Sequence, residues 1–337
     1  MPLTVDQLTD DYIRNNGSNS KSTKLTARNS FKRIQKVIGK DLENIQLKEF
    51  RNPAKLVNEL LDNYSLNTTI QTLIYVKYLI RSLTDKDVLP NEYHDFLVEL
   101  IDKRNEEVNE QKKTPAEDKL GEDFDYMKLR EKFIKHLNEK GLKDSFSSAR
   151  ANLLLGLYLL QPPTRIGNYL NMTLKRRSKK LPKDRNYIIR NEDGTKYDFI
   201  FNKYKTAGHV GKVDLPVRNK DLEGLINNYL KYHPKYKRSS KVGVDFLVNN
   251  SGTALNQSNF TQILKTISNR VFGVPLSTNN FRHSFLTWFN AQNPSINEKR
   301  RIGRILGQKN TISRQDKYVR LDQDHKDLFP EYSDLPE

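Results

Sequence analysis

One stretch of the chain, ARANLLLGLYLL at 149–160, is apolar nearly all round: Leu153, Leu154, Leu155, Leu157, Leu159 and Leu160 point in every direction from a helix axis. A helix without a polar face is stable only when other elements wrap it, so this one predicts the centre of a layered domain. Pro162 and Pro163 end it, because proline lacks the N–H that a helix interior requires. Arg165 comes next, in QPPTRIGNYLNM. A cation leaving the end of a buried helix needs an anion beside it, either a protein carboxylate or a ligand phosphate.

The flanking segments predict how that helix is wrapped. FDYMKLREKFIKHL precedes it as a helix. NYIIR, KYDFIFNKY and GKVDLPV alternate as three short strands, with turns at Asp193-Gly194 and around Gly208, and Lys205 lies in the last turn. LEGLINNYL reads as a helix, DFLVN as a short strand and NQSNFTQILKTISNRVF as a helix. Thr278 or Asn279 can cap a helix with Phe281, Phe285, Trp288 and Phe289 inward, and Pro294 breaks it. Ser295 and Glu298 suggest a capping box for a helix carrying Ile302, Ile305 and Leu306 and ending at Gly307. Thr311 can cap a short helix presenting Tyr318.

Residues 1–107 read as a separate helical domain. Ala27, Phe31, Ile34 and Ile38 share one helical face, with Ser22 or Thr23 as cap. Arg28, Lys32, Arg33 and Lys36 fall largely off that face, either as a solvated basic surface or as phosphate contacts. In TIQTLIYVKYLIRSL, opened by Asn67 or Thr68, the expected inward residues are Ile70, Leu73, Ile74 and Tyr78, with Lys77 and Arg81 more polar. EYHDFLVELIDKRNEEV closes the unit. Residues 108–123, polar and interrupted by Pro115 and Gly121, read as an interdomain linker. At 337 residues the chain can hold two such cores. The class is mainly α with a small β-sheet, in the layout of a two-domain clamp around a duplex.

Charge narrows the partner. A formal charge of +17 sets up a field that attracts polyanions, and double-stranded DNA or other nucleic acid is the expected target. A lysine-rich surface drawn from an AT-rich genome, or a ribosome-associated protein, is the bland alternative. The cluster Lys175, Arg176, Arg177, Lys179, Lys180, Lys183 and Arg185 reads as a phosphate-contacting loop, an import signal or a solvated loop. The absence of cysteine excludes disulfides, thiolate nucleophiles and cysteine zinc sites. No apolar run of membrane-spanning length and no signal-peptide pattern is present, so no membrane partner and an intracellular location are expected.

Strand exchange in DNA without metal or nucleotide requires a nucleophile that can hold a phosphate covalently and cations for the transition state. It also requires an acid for the leaving 5′ oxygen and donors to the non-bridging oxygens. Arginine suits the clamp because its planar fork binds two oxygens, and lysine suits the acid because neighbouring cations lower its pKa. Arg165, Lys205, Asn279-x-x-Arg282, Gln308 and Tyr318 occur in that order, and a Leu-Gly turn precedes Gln308.

That series resembles the tyrosine recombinases, whose pattern is Arg, Lys, His-x-x-Arg, His or Trp, then Tyr. The resemblance covers essentially the whole chain, the N-terminal unit being similar to the family's core-binding domain. The wording PPTRIGNYLNM followed by FNKYKT is most similar to recombinases of giant viruses, virophages and related mobile elements. It implies a mixed α/β catalytic domain at 124–323, a site-specific DNA recombinase or integrase activity and no cofactor. It further implies a homo-oligomer, with four copies on paired sites, working in a host nucleus or viral factory, or otherwise in cytoplasm. By the same resemblance Tyr318 is the nucleophile, Arg165 and Arg282 the clamp and Lys205 the acid, with Asn279 and Gln308 as hydrogen-bond donors.

Three positions depart from the pattern. Asn279 stands where the family has His, Gln308 where it has His or Trp, and Asn168 where an acidic residue often follows the first Arg. Amides donate hydrogen bonds but cannot act as general bases, so help in deprotonating Tyr318 must come from elsewhere. His283 is either a packing histidine or a catalytic substitute. The tail at 324–337, with Leu328, Phe329, Tyr332 and Leu335 among acids, either docks on a neighbouring protomer or packs on its own chain or is disordered. Two other functions fit the same residues: a type IB topoisomerase-like nicking-closing enzyme, and a catalytically degenerate site-specific DNA-binding protein.

Overall fold

In a computed structural model, residues 4–16, 20–84, 91–109, 115–140, 145–176, 181–191, 196–236, 243–308, 332 and 335 are described. The chain divides into two compact units, Met1–Lys112 and Lys113–Glu337.

The first unit is helical: α1 (Val5–Asn16), α2 (Lys21–Ile38), α3 (Pro53–Asn63), α4 (Leu66–Thr84) and α5 (Asn91–Asn109). Ser20 caps α2 by accepting from the Thr23 amide, and Gly39 ends it in the left-handed region that a side chain disfavours. The apolar face of α2 buries Ala27, Phe31 and Ile34 as its periodicity predicted. α4 differs from expectation. Its buried arc centres on Val76 because α2, α3 and α5 all pack against it, so Tyr75 and Leu79 face inward and Ile74 is left 45% exposed. Tyr78 is half-buried and donates to Asp11 at 2.5 Å; burial, with that bond, holds its pKa up at about 12.

The second unit is built around the helix with no polar face. Its elements are α6 (Pro115–Leu120), α7 (Tyr126–Lys140), α8 (Phe146–Leu159), α9 (Ile166–Tyr169), β1 (Thr173–Arg176), β2 (Tyr187–Arg190), β3 (Tyr197–Phe201), α10 (Ala207–Val210), β4 (Val213–Pro216), α11 (Lys220–Tyr232), β5 (Val244–Asp245), α12 (Gln257–Phe272), α13 (Thr278–Ala291) and α14 (Ile296–Ile305). α8 touches α7, α11, α12 and α13, and its residues 152–159 are all buried, which is what its composition demanded. Gly156 lets α11 approach: a Cβ there would sit 2.6 Å from Leu225 Cδ1.

The strands form one sheet in the order β4-β3-β2-β1-β5. β1 and β2 are parallel and the other pairs antiparallel. β3 alternates, with Tyr197, Phe199 and Phe201 buried on the core face; β2 is buried along its whole length. The expected β2, β3 and β4 are present. β1 was not expected: Lys175 and Arg176, read as part of a basic loop, are strand residues paired with Ile189 and Arg190. Backbone pairing across a covered strand outweighed two polar side chains at its end.

The linker reading of 108–123 is corrected in its second half. α6 and the 3-10 turn Gly121–Phe124 belong to the second unit, and Glu117 is 4% exposed. The cap of α13 is Ser277 rather than Thr278 or Asn279, in a reciprocal capping box with Asn280. Ser295 caps α14 through the Glu298 amide as expected. No helix among the described residues is long and apolar enough to cross a membrane.

Candidate active site

Arg165 is the N-cap residue of α9, one element beyond the proline pair that stops α8. Its Nη1 donates to the Gly307 carbonyl and, at 3.4 Å, to Thr206 Oγ1. Thr206 in turn donates to the same Gly307 carbonyl at 2.7 Å. Arg282, on the second turn of α13, donates through Nη1 to the Pro163 carbonyl at 2.5 Å and approaches the Leu306 carbonyl at 3.5 Å. Four segments distant in sequence thus meet: 163–165, 204–206, Arg282 and 306–308.

These two arginines are held by neutral oxygens. Among the described residues neither forms an ion pair with a carboxylate; their partners are three backbone carbonyls and one hydroxyl. The alternative of a buried salt bridge for Arg165 therefore does not hold there. Burial, and then the charge of Arg165, push the Arg282 guanidinium down from its usual range to about 10. Two half-buried cations close enough to repel each other are groups whose charge an anion with several oxygens would neutralise.

Gly307 makes the junction possible. Its φ of +62° lies in the left-handed region, and its amide closes the end of α14 on Arg304. A Cβ there would come within 3.2 Å of Arg165 Nη1, Thr206 Oγ1 and Tyr204 Cε2. Gln308 comes next, half-buried, with its amide bonded to the Gly303 carbonyl at 2.8 Å.

Lys205 sits in the turn between β3 and α10, exposed, beside the Thr206 that touches Arg165. Asn279 is exposed in the first turn of α13, a little under one helical turn before Arg282. His283 points elsewhere: its Nδ1 lies 2.7 Å from Glu117 Oε1 and its ring 6.4 Å from that of Phe124. Ser284 donates to the Phe124 carbonyl at 2.8 Å, so both residues after Arg282 dock α13 on the 117–124 segment. Asn168, where the family often has an acid, is 2% exposed. Tyr318 lies outside the described residues, as do Arg177, Lys179 and Lys180.

Sequence reasoning missed Thr206 and the carbonyls of Pro163, Leu306 and Gly307. Only Thr206 carried a signal, as the neighbour of Lys205.

In the first unit, Lys32 and Lys36 are exposed and Arg28 is exposed but paired with Asp6 at 3.0 Å. Arg33 lies over the Tyr64 ring at 5.7 Å, half-buried, so it serves packing as well as charge. Lys77 is half-buried and Arg81 exposed on α4. In the second unit Lys175 is half-buried and Arg176 exposed. Among the described residues no group of three or more His, Asp or Glu side chains is placed to hold a metal ion.

No protein-family model and no curated protein sequence matches the chain. Solved structures do. The chain is similar to the Tn1549 transposon integrase in complex with transposon right end DNA, at 17% identity over 94% of this chain and 95% of that one, with a TM-score of 0.53. It is similar to the same integrase in complex with circular intermediate DNA, at 16% identity over 94% and 96% of the two chains, with a TM-score of 0.52.

The chain therefore shares the fold of these integrase structures, mainly helical with one small mixed sheet among the described residues, as the sequence led one to expect. The likeness runs through both units.

Proposed function

We propose that this protein is a site-specific DNA recombinase or integrase that cuts and rejoins strands through a phosphotyrosyl intermediate. The observation that carries the reading is the pair Arg165 and Arg282, brought together on carbonyl oxygens with no carboxylate partner among the described residues, beside the Lys205 turn and Gln308. A scissile phosphate is the anion whose charge and oxygen geometry such a pair fits.

In this reading Tyr318 Oη attacks phosphorus, the new O–P bond forms and the bond to the 5′ oxygen breaks. The tyrosine proton passes to solvent, and Lys205 gives its proton to the departing oxygen. Arg165 and Arg282 neutralise the equatorial oxygens as charge builds on them, and Asn279 and Gln308 add neutral hydrogen bonds. The phosphoester energy is kept in the tyrosyl link, so religation needs no nucleotide. Copies of the chain acting on paired duplex sites would exchange strands. Lys32 and Lys36 on α2 and Arg81 on α4, exposed on the helical unit, would contact backbone phosphates. An intracellular site of action, wherever the target DNA resides, belongs to the same proposal.

The test is covalent trapping on a nicked DNA substrate carrying the candidate site, with wild type beside Tyr318→Phe and with EDTA present. An adduct that requires Tyr318 establishes the reaction and the nucleophile. Tight, salt-sensitive binding to the site with no adduct would instead favour a DNA-binding protein, the reading that the amides at 279 and 308 support. Adduct formation with supercoil relaxation and no strand exchange would favour a topoisomerase.

A further inference from the structure

Asn186 is the last residue before β2 and is 4% exposed. Its side chain is fully committed. Nδ2 donates to the Asn168 carbonyl at 2.9 Å and to the Lys203 carbonyl at 3.0 Å. Oδ1 accepts from the Asn202 amide at 2.9 Å and the Lys203 amide at 2.8 Å. Two donors and two acceptor sites are all that a carboxamide offers, so every one is used. The orientation is unambiguous, since a flipped amide would set its NH₂ against two N–H groups and its oxygen against two carbonyls. Its backbone is fixed as well: the Asn186 carbonyl accepts from the Thr173 amide at 3.0 Å, tying it to β1.

The two segments it joins matter. Asn168 lies in the short helix that Arg165 caps, with its amide bonded to the Arg165 carbonyl at 2.9 Å. Asn202 and Lys203 begin the turn that carries Lys205 and Thr206. A second strut runs alongside, from Asn202 Nδ2 to the Arg185 carbonyl at 3.0 Å. The exposed turn therefore has a buried root, and that root is one side chain bonded also to the helix of Arg165.

We propose that Asn186 is a positioning residue that fixes the Lys205 turn relative to Arg165, so that the proton donor and the phosphate clamp meet one scissile phosphate in register. The inference rests on the recombinase reading of the site. Displacement of about 1 Å at a reacting group costs on the order of 100-fold in rate, so a single amide far from the phosphate can matter to the reaction. Asn186→Asp is the sharp variant: it keeps the oxygen that accepts from Asn202 and Lys203 but turns an oxygen towards the carbonyls of Asn168 and Lys203. Asn186→Ser is the milder one, retaining a single hydroxyl.

The readout separates loss of the acid from general damage. With an ordinary phosphodiester the P–O5′ bond breaks and the oxygen takes a proton from Lys205. With sulfur in place of the 5′ bridging oxygen the P–S bond breaks and the thiolate leaves unprotonated, because a thiol's pKa is about 8.5. Adduct formation would be timed on both substrates for wild type, Lys205→Ala, Asn186→Asp and Asn186→Ser, each normalised to the fraction folded by its melting curve. Both Asn186 variants are expected to be slowed roughly 10- to 100-fold on the oxygen substrate and to come within about threefold of wild type on the sulfur substrate, the pattern expected of Lys205→Ala. If Lys205→Ala is rescued by sulfur and neither Asn186 variant is, Asn186 is structural only and the proposal falls while the recombinase reading stands. If both Asn186 variants react at the wild-type rate on oxygen, the proposal falls in the same way. If wild type forms no adduct on either substrate, the recombinase reading falls and takes this inference with it.

Discussion

Arg165 donates a hydrogen bond to the backbone carbonyl of Gly307, 142 residues further along the chain. The contact joins the start of α9 to the end of α14, and Thr206 completes it by donating to the same oxygen. A carbonyl accepts the hydrogen bond without cancelling the guanidinium charge, as a carboxylate would, and among the described residues Arg165 has no carboxylate partner.

The clamp is expected to be chemically specific. Arg165→Lys and Arg282→Lys should each lower the rate of adduct formation by roughly 100- to 1,000-fold, because a lysine replaces a planar fork with a point charge. DNA affinity should fall far less, since most of it comes from the other cations. Single-turnover cleavage beside a binding isotherm at one fixed salt concentration checks both.

The same two cations should respond to pH and to small anions. The Arg282 pKa is depressed to about 10, so between about 10 and its ordinary range the unfolded state binds more protons than the folded state. This group's contribution to unfolding free energy therefore increases as pH rises through that window, while below about 10 the folded protein carries the repelled charge. Inorganic sulfate should relieve that repulsion and raise the melting temperature at pH 7. The effect should weaken as pH passes about 10 and be lost in the double variant Arg165→Gln/Arg282→Gln, measured by calorimetry.

Gly307→Ala should damage fold and site together. A left-handed backbone costs a side-chain-bearing residue about 1–2 kcal/mol. The new methyl would press on Arg165, Thr206 and Tyr204 at 3.2 Å. Urea denaturation should show a loss of that order, and adduct formation should fall at temperatures where the variant is still folded. Gly156→Ala is the control. Its methyl meets Leu225 at 2.6 Å between α8 and α11, so it should destabilise by about 1–3 kcal/mol and leave the cleavage rate of the folded fraction unchanged.

Tyr332 is 2% exposed within the core of the second unit, with Arg218 over its ring at 5.6 Å, and Leu335 packs on the same core. Tyr332 and Leu335 pack on this chain's own core, and the other residues of 324–337 lie outside the described residues. Tyr332→Ala should therefore lower the melting temperature equally at dilute and concentrated protein, with a loss of about 3 kcal/mol or more. Destabilisation only at concentrations that support an oligomer would place the tyrosine on a neighbouring protomer. The deletion of 324–337, assayed for synapsis and cleavage, tests the tail's role in assembly separately.

Where hydrophobic pattern was strong, the fold was legible. The all-round apolar run predicted α8, the spacing of Ala27, Phe31 and Ile34 predicted the buried face of α2, and alternation predicted β2, β3 and β4. Where pattern was weak or polar, it was not. Lys175 and Arg176 concealed β1, the polar run around Glu117 looked like a linker, and Ile74 looked inward until three helices were seen to share α4.

The candidate site divides in the same way. The sequence by itself determined its charged groups, because arginine and lysine in order along a chain, set in helix ends and turns, carry their chemistry in their names. Only the tertiary structure decided what holds them: the carbonyls of Pro163, Leu306 and Gly307, the hydroxyl of Thr206 and the buried amide of Asn186. A backbone carbonyl is the same in every residue, so no sequence signal marks the few that converge. Convergence comes from packing elements far apart in the chain against one core, and a position's neighbours in space are set there.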